Sequence, residues 1–238
     1  MKKLTVFCAA ACLAASAAAQ KHPDLHEVLD RQKGRNLIEI PKGTYTLDVR
    51  NNGPYKFHNL TDVHINGNGS TVICNNQEQA FSFYNCVRVE LRDLTIDYDP
   101  LCFTQGEITA VAEDGSWFDV RIDEGYPVTG LAANRVQFYD PQTRLLKRNS
   151  ITTYTSNYSA LKQLGHNLFR AVKNGTWSAG EQVGDLVVMD VKTDKPNAGV
   201  HTVMLNKCYN TKLENVTVYG SNTFSFFEKE GYANEYRN

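Results

Sequence analysis

His58-Asn59-Leu60-Thr61-Asp62-Val63-His64-Ile65-Asn66-Gly67 decides the fold once it is laid over two later stretches. The second runs from Tyr84-Asn85-Cys86 through Val89 and Leu91 to Leu94-Thr95-Ile96. The third runs from Asn206-Lys207-Cys208 through Leu213 to Val216-Thr217-Val218. Val63 and Ile65 fall on Val89 and Leu91, a shift of 26; Leu91, Leu94 and Ile96 fall on Leu213, Val216 and Val218, a shift of 122. A repeat in the twenties, rich in β-branched residues and punctuated by Asn and Gly, predicts a solenoid of stacked coils. The longer shift reads as one coil plus an insertion of roughly a hundred residues, about Phe103 to Val200, because each repeat is a single supersecondary unit. The expected fold is therefore all-β: a right-handed parallel β-helix with an inserted small antiparallel β-barrel or sandwich.

Strand alternation assigns the faces. Val89, Leu91, Leu94 and Ile96 point into the coil, so Thr95, Asp97 and Asp99 point outward, as do Thr217, Tyr219 and Ser221 on the matching strand. Cys86 and Cys208 occupy equivalent positions in neighbouring coils, where a ladder of buried thiols and a disulfide are both open. A short helix over Pro23–Arg31, with Leu25, Val28 and Leu29 on one face, supplies the cap that an open solenoid end requires. In the insertion, Ile108–Ala112 and Trp117–Ile122 flank the hairpin turn Asp114-Gly115. Val136–Tyr139, Leu168–Val172, Leu186–Val191 and His201–Leu205 are further strand-like runs. The chain stops at Glu235-Tyr236-Arg237-Asn238 soon after a coil begins, so a fragment of a larger protein is expected.

Lys2 and Lys3, the apolar stretch Leu4–Ala15 and the small residues Ala17-Ala18-Ala19 predict a signal peptide over residues 1–19, too short to span a bilayer. Its style points to a bacterial periplasm, cell surface or medium. The domains expected after it are 20–102 (capped coils), 103–200 (insertion) and 201–238 (continued coils). Removing Lys2 and Lys3 takes the formal charge from −1 to −3, which argues against nucleic acid as a partner. Cys74, Cys86, Cys102 and Cys208 lack paired ligand spacing, so no metal site is expected. No Gly-rich loop after a strand opens a helix, and no organic cofactor is expected.

Carboxylates and aromatics of the outer face are the candidates for chemistry. Asp97 and Asp99, two apart on one strand face, would sit about 6.5–7 Å from each other, a separation that suits acid/base work on a glycosidic bond or a cation held by hard ligands. Glu228, beside Phe224, Phe226 and Phe227, is the third catalytic candidate, since a carboxyl among rings can have a raised pKa. Tyr219, turned outward, is the candidate sugar platform, while the phenylalanines read as core. Gln105 and Glu230 are candidate substrate contacts. The ordinary readings are a strand-ending Asp-Pro for the first pair and a surface turn for Glu228–Gly231. His64 and His201 read as surface strand residues.

Ile40-Pro41-Lys42-Gly43-Thr44-Tyr45 and His64–Ser70 resemble the opening of pectate-lyase-like β-helix proteins. Leu94-Thr95-Ile96-Asp97-Tyr98-Asp99, leading into an inserted β-domain, resembles more narrowly the bacterial β-helix glycosidases that include the α-1,3-galactosidases. The similarity covers about Leu37 to Asn238. The G-A-x-G-D-G-x-T-D-D start of many pectate-lyase-like proteins is absent, with His22–Gly34 in its place, and no catalytic residue carries over. What the resemblance implies is a secreted, monomeric glycoside hydrolase, or part of one, acting on a polysaccharide or glycan. The rivals are a polysaccharide lyase and a non-catalytic glycan-binding or inactive β-helix.

Overall fold

The computed structural model describes residues 22–148, 150–154, 157–191, 201–221 and 223–238. The expected signal peptide, residues 1–19, and the expected domain boundary at residue 200 lie outside the described residues. The chain is mostly β. Its first elements are α1 (Leu25–Asp30), β1 (Leu37–Glu39), β2 (Thr44–Leu47), α2 (Val49–Asn52), β3 (Tyr55–His58), β4 (Thr61–Cys74), β5 (Phe81–Tyr84) and β6 (Val87–Tyr98). The insertion holds β7 (Phe103–Val111), β8 (Trp117–Ile122), β9 (Leu131–Tyr139), β10 (Thr153–Tyr154), β11 (Tyr158–Gln163), β12 (Leu168–Lys173) and β13 (Leu186–Val191). The coils resume with β14 (Val203–Asn206), β15 (Lys212–Val218), β16 (Phe226–Lys229) and β17 (Glu235–Arg237).

Two parallel sheets form the solenoid, one in the order β1-β4-β6-β15-β17 with β2 also on β4, the other in the order β16-β14-β5-β3. The register is the one the repeat predicts. Val63 pairs with Val89 and Ile65 with Leu91; Leu91, Leu94 and Ile96 pair with Leu213, Val216 and Val218. These apolar side chains are buried together, apart from the half-buried Val218, and Phe57 stacks on Phe83 at 4.8 Å between ring centres. A further floor follows at a shift of 23: Val203 pairs with Phe226 and Leu213 with Tyr236. His201–Leu205, which reads in sequence like one more run of the insertion, belongs to the solenoid, with Val203–Leu205 pairing to Phe81–Phe83.

Corners turn through stacked left-handed residues. One column is Asn59, Asn85, Lys207 and Glu230; a second is Asp62, Arg88, Asn210 and Ala233. Such backbone is strained for most L-residues and eased for Asn and Asp, which explains the Asn-rich punctuation. The Asn85 amide also donates to the Asn59 side chain at 2.8 Å, tying floor to floor. Gly67 serves a different need: a Cβ there would lie 2.9 Å from the Arg92 carbonyl of the next coil. α1 closes the first end. Asp24 accepts from the His26 amide as its cap, and Leu25 and Leu29 are buried on the core, each worth about 1.5–3 kcal/mol of apolar transfer.

The insertion is one antiparallel sheet in the order β10-β9-β13-β7-β8-β12-β11. It curls around a core containing Phe118, Phe138, Phe169 and Met189, and β11 comes back into contact with β9. Of the two expected forms, this is the barrel-like one rather than two facing sheets. Its ends meet: Asp190 pairs with Phe103, and the Val191 amide donates to the Cys102 carbonyl at 3.2 Å. Among the described residues no helix is long and apolar enough to cross a membrane.

Candidate functional site

Alternation in the insertion builds one wall of a cleft. In β9, Val136 and Phe138 turn into the insertion's core, so Arg135, Gln137 and Tyr139 face out; in β13, Val187 and Met189 turn in, so Val188 and Asp190 face out. These outward residues, with Phe103, look across at Cys102, His201, Ser221 and Phe224 of the solenoid, enclosing an open cleft of about 670 Å3.

Its electrostatics are uneven. Burial pushes the Asp190 carboxyl above the usual carboxylate range, and Arg135 nearby opposes that rise only in part. Burial holds His201 below the usual imidazole range, so its ring is neutral at pH 7. His201 Nδ1 lies 2.8 Å from the Thr223 hydroxyl, and the ring stacks on Phe227 at 4.1 Å and tilts against Phe224 at 5.4 Å. The two phenylalanines are themselves near-parallel, at 13°. Phe224 caps this stack with 61% of its surface exposed. The Cys102 thiol donates to the Gly220 carbonyl. Burial, followed by the charges of Asp190 and Asp97, pushes it up to about 12.

Both carboxylates thus neighbour the same sulfur, and Asp97 is the sequence candidate that adjoins the cleft. It is half-buried on β6, its Oδ1 accepting from the Tyr98 amide at 2.8 Å and lying 3.7 Å from where a Cβ on Gly220 would stand. Asp99 follows two residues on, just past the strand's end, its amide donating to the Cys74 carbonyl at 3.0 Å. β6 ends at Tyr98, and Asp99 is exposed in the bend before Pro100. The strand-ending reading of Asp-Pro holds there. Tyr98 itself turns inward, its hydroxyl 2.9 Å from both the Glu78 carbonyl and the Thr202 hydroxyl.

The remaining candidates stand apart from the cleft's lining. Glu228 is exposed on β16; it pairs with the inward Leu205 and accepts from the Tyr236 hydroxyl at 3.3 Å. Glu230 occupies a left-handed corner between Lys229, 3.4 Å away, and Lys207, 3.8 Å away. Gln105 shares an outward face with Phe103, but its amide donates to Asp123 at 3.0 Å. Tyr219 is 58% exposed, as the parity argument expected of a platform, and lies two residues before the cleft residue Ser221.

Sequence reasoning missed Asp190, Arg135, His201 and Phe224. The alternation Val187-Val188-Met189-Asp190 carried a signal for Asp190, since it puts that carboxylate opposite the core. Phe224 was expected in the core; it precedes β16, whose inward alternation begins only at Phe226. Among the described residues no three His, Cys, Asp or Glu side chains gather as metal ligands. No known protein family matches the chain, and no curated protein resembles it in sequence.

Proposed function

We propose that this chain is an exported carbohydrate-active protein, a glycoside hydrolase or the part of one that binds a glycan between solenoid and insertion. The observation that carries the reading is a half-buried carboxyl with a raised proton affinity, Asp190, facing an open cleft beside an exposed aromatic stack. A carboxyl that keeps its proton can deliver it to a departing glycosidic oxygen. Asp97, near the same thiol, is the second carboxylate for activating water or receiving the sugar. Phe224 offers a flat apolar face for the C–H side of a pyranose, and Gln137 and Tyr139 offer hydrogen bonds to hydroxyls. Residues 1–19 support export to the periplasm or medium, the opening motifs support kinship with pectate-lyase-like β-helix proteins, and Leu94–Asp99 leading into the insertion supports the narrower likeness to β-helix glycosidases.

Reducing-sugar release from a panel of polysaccharides and oligosaccharides tests the reading. Asp190→Asn and Asp97→Asn should each lower turnover by about 10²–10⁴-fold, while Asp99→Asn and Glu228→Gln leave it near wild type. Unchanged turnover in the first two variants would remove both from the site. Arg135, whose charge acts on Asp190 in the same cleft, favours one second reading: elimination from a uronate, whose charge the guanidinium would neutralise. Absorbance from an unsaturated product, in place of reducing ends alone, would mark that outcome. Glycan binding without turnover would mark a binding module.

A further inference from the structure

Of the four cysteines in the described residues, two meet across the coils, and they lie away from the cleft. Cys86 and Cys208 are both fully buried at equivalent positions of successive floors, each directly after a left-handed corner residue, Asn85 and Lys207. Val87 and Tyr209, the residues that follow them, form a parallel bridge, which fixes the register at the sulfurs. Neighbouring strands of a sheet run about 4.7–4.9 Å apart, inside the Cα range of about 4.4–6.8 Å that disulfides adopt. The Cys86 thiol donates to the Phe57 carbonyl at 3.1 Å and the Cys208 thiol to the Asn206 carbonyl at 3.4 Å, and the two side chains are near enough for the Cys208 thiol to lower that of Cys86. The other two cysteines are engaged elsewhere, with Cys102 on the Gly220 carbonyl and Cys74 buried at the level of Tyr98.

We infer that Cys86 and Cys208 form an inter-coil disulfide under oxidising conditions, stapling the floor before the insertion to the floor after it. The two thiols lose two protons and two electrons as the S–S bond forms, and a small-molecule disulfide accepts them as its own S–S bond breaks into two thiols. The covalent loop spans the whole insertion. Closing a loop of that length restricts the unfolded chain strongly, so the gain should appear as stability.

The test refolds the reduced full-length chain in a glutathione redox buffer, which gives every thiol access to the oxidant. Linkage is then read by fragmenting disulfide-joined peptides, with cleavage chosen to separate Cys86 from Cys74. The expected result is a Cys86–Cys208 link with a mass loss of about 2 Da, and a Tm that falls on the order of 10 °C when reductant is added. Cys208→Ser and Cys86→Ser, each a near-isosteric change, should abolish both the link and the reductant-sensitive Tm. Free thiols at both positions after refolding would overturn the inference, as would pairing of either residue with Cys74, Cys102 or any other cysteine.

Discussion

Glu181→Ala should unfold the insertion far more readily than an average surface change. Lys173 and Glu181 are both fully buried and bonded to each other, Lys173 on β12 and Glu181 in the loop before β13. Lys173 Nζ also donates to the Trp177 carbonyl at 2.8 Å and lies 4.6 Å from the Trp177 ring centre. Glu181 in turn accepts from the Ala179 amide at 2.7 Å. Removing the carboxylate leaves an ammonium in an apolar core with one carbonyl for company, and breaking a buried pair from one side costs about 3–5 kcal/mol. With a urea m-value of about 2 kcal/mol/M, the midpoint should fall by about 2 M. The assay is local by good fortune of sequence: the chain's two tryptophans, Trp117 and Trp177, both lie in the insertion, so their fluorescence follows that unit alone. The double variant Lys173→Met/Glu181→Leu removes both charges and should recover most of the loss. A single-variant loss below about 1 kcal/mol, or a double variant no better than the single, would refute the claim that this pair is desolvated and mutually dependent.

Gly67→Ala should lower the Tm of the solenoid, since its Cβ would press on the Leu94 side chain at 2.8 Å and on the Arg92 carbonyl; about 1–3 kcal/mol is expected for such overpacking, and an unchanged Tm would show that the coils can separate freely. Asp190 holds its proton in the folded chain at pH values where the unfolded chain has lost it, so its ionisation lowers stability as pH rises through that window. The urea-midpoint advantage of Asp190→Asn over wild type should grow between about pH 3 and pH 7, and a pH-independent difference counts against it. Glu90 is the opposite case: the His64 hydrogen bond, then Lys212, holds it below the usual carboxylate range, so its stabilisation is present above that range and lost as pH falls through it. Glu90→Gln should flatten the acid limb of the stability profile; parallel limbs in the two proteins would discount the His64 and Lys212 contacts to Glu90. Phe224→Ala should weaken glycan binding roughly tenfold, on the order of an aromatic contact, with the far-ultraviolet circular dichroism unchanged; undiminished binding would dismiss the platform.

The solenoid was legible because its inward positions are apolar at a fixed register and Asn or Asp stands at half of the positions in its two left-handed corner columns. Val63 over Val89 and Leu91 over Leu213 need no tertiary knowledge beyond strand parity. The last floor was harder to read. Its shift shortens to 23, and Glu228 stands where Leu205 and Phe83 stand in the floors before it, so the apolar repeat fades just where the register continues. The cleft was less legible still. Arg135 and Asp190 gain meaning only when the insertion's outward face packs beside Cys102 and His201, a juxtaposition that no local pattern encodes. The direction of Asp97 was legible, because strand parity turns it away from the core just before the insertion begins. Asp99 is harder to place, because the i, i+2 rule needs a strand that continues, and β6 ends at Tyr98 before Pro100.

The meeting of the insertion's two ends at Asp190, Phe103, Cys102 and Val191 has a kinetic meaning. For the third floor to dock on the second, an unstructured connection this long would raise the closure cost by only about 0.6 kcal/mol for each doubling of length. A side unit that folds first does better, because its joined ends reduce the connection to a short tether. Stacking of β14 on β5 then becomes a nearly local event, and a tower interrupted by a foreign barrel can still be assembled one storey at a time.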